Sequence, residues 1–167
     1  MKKTALSTFI FILFGYGLFG QGHTAKIVTT DIDNFWIAYD QIIQVSDSSE
    51  RMKLINELYI DKGTEGLKGL ISVRRYEDHE FVSNILKYPT YWNSIRGNST
   101  YLLKDTEQIE KYLARLKELY PELKPADIYF SIGAFRSAGT YEGDKVLFGA
   151  EFMLAQKNAV LEELPER

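Results

Sequence analysis

The chain has 167 residues and no cysteine, which excludes disulfides and lipid attachment through a cysteine. It carries 20 Lys and Arg against 23 Asp and Glu, a net charge of −3; a nucleic-acid partner would call for a basic face. With 45% hydrophobic residues, abundant aromatics included, one domain can bury a real core without disulfides.

Lys2 and Lys3 open the chain, and Ala5 to Phe19 is almost unbroken apolar sequence followed by Gly20-Gln21-Gly22. That order is the export pattern, with cleavage expected after Gly22; the competing reading is an uncleaved membrane anchor. Residues 1–22 are thus expected to be a signal peptide, and the protein to be exported, periplasmic or extracellular. The membrane enters only through this segment if it is retained. Its removal takes away Lys2 and Lys3, leaving 18 basic against 23 acidic side chains and a net charge of −5.

Helices are expected over the next two thirds. Thr30-Asp31-Ile32-Asp33 has the form of an N-cap with an acid three positions on. Ile32, Phe35, Trp36, Tyr39, Ile42 and Ile43 then recur at helical steps. Ser46–Ser49 breaks this helix and caps a second, with Met52, Ile55, Leu58 and Tyr59 inward and Gly63 as its stop. Thr64 caps a third, with Leu67, Leu70, Ile71 and Arg74 on one side, and a fourth runs from Glu77 to Tyr88, where Pro89 ends it. Thr90–Arg96 reads as a short helical turn presenting Tyr91, Trp92 and Ile95, and Gly97-Asn98-Ser99 as a loop. The fifth main helix has the clearest spacing, Ile109, Tyr112, Leu113, Leu116, Leu119 and Tyr120, with charged residues opposite.

The period then changes to two. Ile128, Phe130 and Ile132 alternate with Tyr129, Ser131 and Gly133, the rhythm of a strand. Ser137–Asp144 is turn-rich, and Lys145–Phe152 reads as a second strand pairing antiparallel with the first. The expected fold is α+β and mostly helical: about five N-terminal helices followed by a two-stranded antiparallel β unit. Residues 23–154 form the domain. Residues 155–167 read as an acidic tail with no apolar face to bury, a candidate for disorder.

Chemistry-bearing residues are few. The histidines are His23 and His79. His79-Glu80 begins like H-E-x-x-H, in which two histidines four apart share a helix face and reach one zinc. Here Ser83 occupies the second position, so His79 reads as an exposed helix residue, with no metal ligand and no catalytic residue assigned. Ser131-Ile132-Gly133 and Ser137-Ala138-Gly139 lack the nucleophile-elbow pattern. Gly133, Gly139, Gly143 and Gly149 have no following helix that would make a phosphate loop and read as turn-formers. Tyr88, Tyr91, Trp92 and Tyr101 suggest a sugar platform, but aromatics at helical spacing in such a chain read as core. Asp31, Asp33 and Asp40 lack a calcium-loop pattern and suit the start of a helix.

Four ordered runs carry a resemblance: Asp31-Ile32-Asp33-Asn34-Phe35-Trp36-Ile37-Ala38-Tyr39, Leu58-Tyr59-Ile60-Asp61-Lys62-Gly63-Thr64, Tyr120-Pro121-Glu122-Leu123-Lys124-Pro125 and Ile128-Tyr129-Phe130-Ser131-Ile132-Gly133. Together they resemble a family of predicted bacterial zinc-dependent proteases, exported proteins with a helical N-terminal half and a zincin-like catalytic half. The resemblance implies that the two-stranded unit starts a zincin-like sheet. Ser137–Glu151 would then line the cleft above the metal, with Gly139, Thr140, Phe148, Gly149 and Glu151 as lining residues. The edge strand would hold an extended peptide by backbone bonds, so the implied partner is a peptide or protein. The family's H-E-x-x-H helix and its zinc would follow downstream. This chain reaches Arg167 after Glu151 with no further histidine. The expectation is therefore the N-terminal part of a zinc metallopeptidase, truncated and inactive as given, with no cofactor of its own. A non-catalytic extracytoplasmic binding domain is the alternative.

Overall fold

The computed structural model describes residues 25–165. The expected signal segment, residues 1–22, and His23 lie outside the described residues. Eight α-helices and four strands follow in the order β1 (Ile27–Val28), α1 (Thr30–Ile42), α2 (Ser48–Ile55), α3 (Glu65–Arg74), α4 (Asp78–Lys87), α5 (Pro89–Arg96), α6 (Ser99–Lys104), α7 (Thr106–Leu119), β2 (Asp127–Ser131), β3 (Gly139–Glu142), β4 (Lys145–Gly149) and α8 (Ala150–Met153). Asn56–Ile60 continues α2 as one π-helical turn.

The helical starts follow local chemistry. Asp47 caps α2 by accepting the Glu50 N–H at 2.8 Å, and Thr64 caps α3 through the Gly66 N–H. Glu77 and Glu80 form a reciprocal capping box at α4. Pro89 both ends α4 and opens α5 at a first-turn position that lacks nothing by losing its N–H. The cap of α1 falls one residue earlier than the sequence suggests, at Thr29, and makes no side-chain cap bond.

The expected two-stranded antiparallel unit is corrected to a four-stranded mixed sheet in the order β1-β2-β4-β3, so the fold is mixed α/β. β2 and β4 do not pair antiparallel. They run parallel in the register Ile128↔Val146 to Ser131↔Gly149, and β1 adds to β2 in parallel. The antiparallel partner of β4 is β3, joined to it through Gly143 and Asp144 in a two-residue turn where Gly143 has φ +59°. Residues 132–138 therefore carry the chain sideways across the end of β4 to the far edge, where β3 returns.

β3 escaped the sequence reading because Gly-Thr-Tyr-Glu is four residues long and sits between turn signals. β4 also stops at Gly149, and Ala150–Met153 turns into helix where the sequence suggests strand to Phe152. α6 is a further helix, beginning within the expected 97–99 loop.

Side chains of the sheet divide by parity. Tyr129 and Leu147 face α3, which approaches closely because Gly66 and Gly69 carry no side chain; a Cβ on Gly66 would stand 2.2 Å from that of Tyr129. On the opposite face Phe130 stacks on Phe148, ring centroids 5.2 Å apart. The deepest packing is aromatic: Phe35 meets Trp36, Tyr59 and Trp92, and Phe135 inserts against Tyr88, Tyr91 and Trp92. By contrast α7, the clearest amphipathic pattern, contains no buried residue.

The segment after Leu154, which shows no apolar face in sequence, nevertheless docks. Ala155, Ala159 and Leu164 pack against the core, Asn158 pairs with Asn98, and the Glu163 carboxylate accepts the Tyr91 N–H at the start of α5. Those are short, separate anchors with no helical or strand period to announce them.

Candidate functional site

The carboxyl ends of β1, β2 and β4 lie at one edge of the sheet, and two buried carboxylates organise it. Asp31, in the first turn of α1, is 1% exposed. Its Oδ1 accepts the Thr64 N–H at 2.9 Å, and its Oδ2 accepts the hydroxyls of Thr64 at 2.6 Å and Ser131 at 2.7 Å. One side chain thus ties α1 to the cap of α3 and the end of β2. An isolated buried charge is costly, and these donors offset that cost. The sequence reading assigned Asp31 to the helix dipole; the tertiary role needs Thr64 and Ser131 brought from 33 and 100 positions away. Asp33 is exposed and Asp40 pairs with Arg96, so the three aspartates do not converge.

Glu151, at the start of α8, is fully buried. Its Oε2 accepts the Gly133 N–H at 2.7 Å and its Oε1 the Phe135 N–H at 3.1 Å. Burial pushes its pKa up to about 7, against the lowering effect of those two amides. The Tyr91 hydroxyl donates to the Glu151 backbone carbonyl, and burial followed by the Glu151 charge raises the Tyr91 pKa. Tyr76 is pushed up to about 12 by burial first and the Glu151 charge second, against the lowering effect of the Ala134 amide, and its hydroxyl donates to no acceptor. Tyr59 donates to the Ile132 carbonyl; burial, then the charges of Asp31 and Glu151, raise its pKa.

Of the five lining residues implied by the resemblance, Gly149 and Glu151 lie under the 132–138 arch, while Thr140 and Phe148 fall on opposite faces of the sheet. Gly139 lies opposite Phe148, Thr140 opposite Leu147, and Gly149 sits directly under the arch. A Cβ on Gly149 would be 2.2 Å from the Ser137 carbonyl oxygen, so only glycine lets the arch cross there. Gly139, Thr140 and Phe148 are partly exposed, whereas Gly149 and Glu151 are buried.

β3 is one edge strand of the sheet and β1 the other. Alternation along the β3–β4 hairpin, with the Gly149 N–H on the Ala138 carbonyl, turns the backbone of Gly139 and Tyr141 outward. The Gly139 carbonyl accepts Arg74 at 3.0 Å and the Ser137 hydroxyl at 2.9 Å, and Tyr141 is the most exposed large side chain of the strand.

A second concave region lies between α7 and the sheet. It is a groove of about 640 Å³, lined chiefly by Leu113, Leu116, Leu123, Pro125, Ile128 and Val146. A smaller apolar cavity of about 430 Å³ separates Tyr88, Tyr91, Phe135 and Phe152 from Leu161 and Leu164.

His79 is exposed on α4 and pairs with Glu77 at 3.2 Å, as a surface histidine does. Glu80 is occupied by its capping box and by Arg136. Among the described residues no group of three or more His, Cys, Asp or Glu comes together as a metal site. These residues do not fit zinc, and no step is assigned through it. Tyr88, Tyr91 and Trp92 are buried, so they present no sugar platform; Tyr101 is exposed. No described helix is long and apolar enough to cross a membrane. The chain matches no family model, no curated protein and no solved structure.

Proposed function

We propose that this chain forms the peptide-holding part of an exported zinc-dependent peptidase, with β3 as the edge that pairs with an extended substrate. The observation that carries the reading is the sheet edge. β3 is antiparallel to its neighbour, short, partly exposed and without a strand on its outer side, where Tyr141 points its backbone, while the outward Gly139 carbonyl is already held by Arg74 and Ser137. An open edge of this kind accepts an added strand through main-chain bonds, while alternate side chains give selectivity. The residues of the resemblance, Tyr120–Pro125 and Ile128–Gly133, lead directly into this region. Zinc and its general base belong, on this reading, to sequence beyond the residues described.

Extended peptides titrated against the chain, followed by amide NMR, test the proposal. Shifts are expected to concentrate at Gly139–Glu142. Tyr141→Pro removes one outward N–H at an edge position that tolerates proline, and is expected to abolish those shifts without unfolding. Shifts scattered over the surface, or unchanged by Tyr141→Pro, would count against β3. Separately, the gene product including any coding sequence after Arg167 is expected to cleave peptides in a chelator-sensitive way. Failure of a complete product to do so would remove the peptidase half of the proposal.

A second reading, a non-catalytic extracytoplasmic interaction domain, draws on α7. Tyr112, Leu116 and Leu119 on α7, with Tyr120 just past its end, are exposed beside an apolar groove. Peptide-independent association that Leu116→Lys abolishes would favour it.

A further inference from the structure

We infer that Glu151 is a proton-operated latch for the arch over β4, so that acid frees the Phe135 end of the arch while the fold stays intact. The inference concerns the arch itself and stands whether or not β3 binds a peptide.

The geometry is that of a clamp. The two carboxylate oxygens of Glu151 each hold one backbone amide of the same short segment, Gly133 at 2.7 Å and Phe135 at 3.1 Å. Phe135 has φ +58°, a left-handed conformation disfavoured for a residue with a side chain. It must be held there by its surroundings. The amide bond to Glu151 supplies part of that hold, and the ring, packed on Tyr88, Tyr91, Trp92 and Phe152, supplies the rest. Releasing the amide therefore affects both the strained backbone and the wall of the apolar cavity that Phe135 lines.

A proton changes the inventory of that clamp. Ionised, Glu151 is acceptor-only and satisfies both amides; neutral, one oxygen becomes a donor and needs an acceptor of its own. The acceptor at hand is the Tyr76 hydroxyl, in a residue 5% exposed: it donates to no acceptor, and beside the Ala134 amide it keeps a second lone pair. It lies on the same side of Gly133 as Oε1: a Cβ at Gly133 would stand 2.8 Å from Oε1 and 3.1 Å from the Tyr76 oxygen. Oε1 is also the oxygen that holds Phe135 by the longer bond. Taking up a proton from solvent at Oε1 and donating it to Tyr76 thus costs the Phe135 contact and leaves the Gly133 contact on Oε2.

The surroundings place the transition in a usable range. Tyr59 from the π turn, Tyr76 from the α3–α4 link and Tyr91 from α5 are the titratable groups that face Glu151. All three have pKa values raised above 10 and stay neutral where Glu151 titrates. Arg74 and Arg136 bear on Tyr76, and Asp31 bears on Tyr59. Burial pushes Glu151 to about 7, so near neutral pH both states are populated.

Amide NMR and hydrogen exchange of the full chain between pH 5 and pH 9 test the latch. The Gly133 and Phe135 signals are expected to move with a common midpoint near 7. Below it, Phe135 is expected to lose about tenfold in protection, corrected for intrinsic exchange, while Gly133 keeps its own. Glu151→Gln is expected to erase the midpoint. Should that variant fail to fold, Tyr76→Phe decides: loss of the acceptor is expected to move the midpoint down by about one unit. The inference is overturned if neither amide moves between pH 5 and 9. It is equally overturned if the midpoint survives in Glu151→Gln, or if it is unmoved in Tyr76→Phe.

Discussion

The α1–α5 body and α7 are written in the same sequence language and end in opposite environments. In α1 the stripe Ile32, Phe35, Trp36, Tyr39 and Ile42 is buried, with its expected last member, Ile43, exposed just past the helix end, and Trp36 adds a 2.8 Å bond from its indole N–H to the Ser99 hydroxyl. In α7 the equally regular stripe leaves Tyr112, Leu119 and Tyr120 about three-fifths exposed or more. Amphipathic spacing certifies that a face is fit for burial; it does not supply the surface that buries it. α1 finds β2, α2 and the π turn against it, whereas α7 meets α6 and a groove and sends only the half-buried Ile109 and Leu113 against the core.

That contrast is sharpest in a pair of truncations. Trp92→Ala removes an indole that is 1% exposed, touches Phe35, Trp36, Tyr91 and Phe135, and donates to the Asn84 carbonyl. It is expected to cost about 3–5 kcal/mol in denaturant unfolding. Tyr112→Ala is expected to stay within about 0.5 kcal/mol. Comparable losses would mean that α7 is packed and that the comparison fails.

The next effect is pH dependence, and it belongs to the buried side alone. Glu151 has a folded pKa of about 7 against an ordinary 4.5. The folded state therefore holds its proton more tightly than the unfolded state. Its contribution to stability is full below about pH 4.5 and is lost as pH rises through about 7. At about 1.4 kcal/mol per unit the swing is about 3 kcal/mol. Glu151→Gln is expected to flatten that slope in urea melts at pH 5, 6, 7 and 8. A wild-type curve already flat across this window would place the carboxyl in water.

The sequence made this asymmetry only half visible. Helix starts at Asp47, Thr64 and Glu77 and the burial of α1, α4 and α5 were legible because caps and period are local. The sheet was not. Its order depends on Gly143 turning the chain within two residues, and on Gly149 and Gly66 letting backbone and helix approach; a glycine's letter does not say which neighbour it admits. The lining residues follow the same rule: Gly139 and Phe148 became neighbours only through the β3–β4 register. Glu151 read as a cleft residue by resemblance, while its burial and its grip on Gly133 and Phe135 depend on the arch. Tyr76 drew no attention at all, since a lone tyrosine between two helices carries no pattern.

A smaller effect probes the Asp31 tie. Thr64→Val keeps the shape and the backbone N–H to Asp31. It removes the hydroxyl that serves Asp31 at 2.6 Å and the cap on Gly66 at 3.1 Å. A lost cap and one lost bond to a buried carboxylate are expected to cost about 1–2 kcal/mol. Amide exchange should rise first at the start of α3, because the Ser131 hydroxyl still holds Asp31 to β2.

The smallest expected change is the one that decides what α7 is for. Leu116→Lys and Leu119→Lys put charges on a face that is already 40% and 59% exposed, so unfolding free energy is expected to move by no more than about 0.5 kcal/mol. If the stripe is idle surface, nothing else changes. If it is a contact surface, the same variants abolish association measured by light scattering while melts stay superimposable. A loss of stability near that of Trp92→Ala would instead show that the groove closes in solution and α7 packs onto Ile128 and Val146. Stability and association read together thus separate a helix awaiting a partner from one that merely hinges over the sheet.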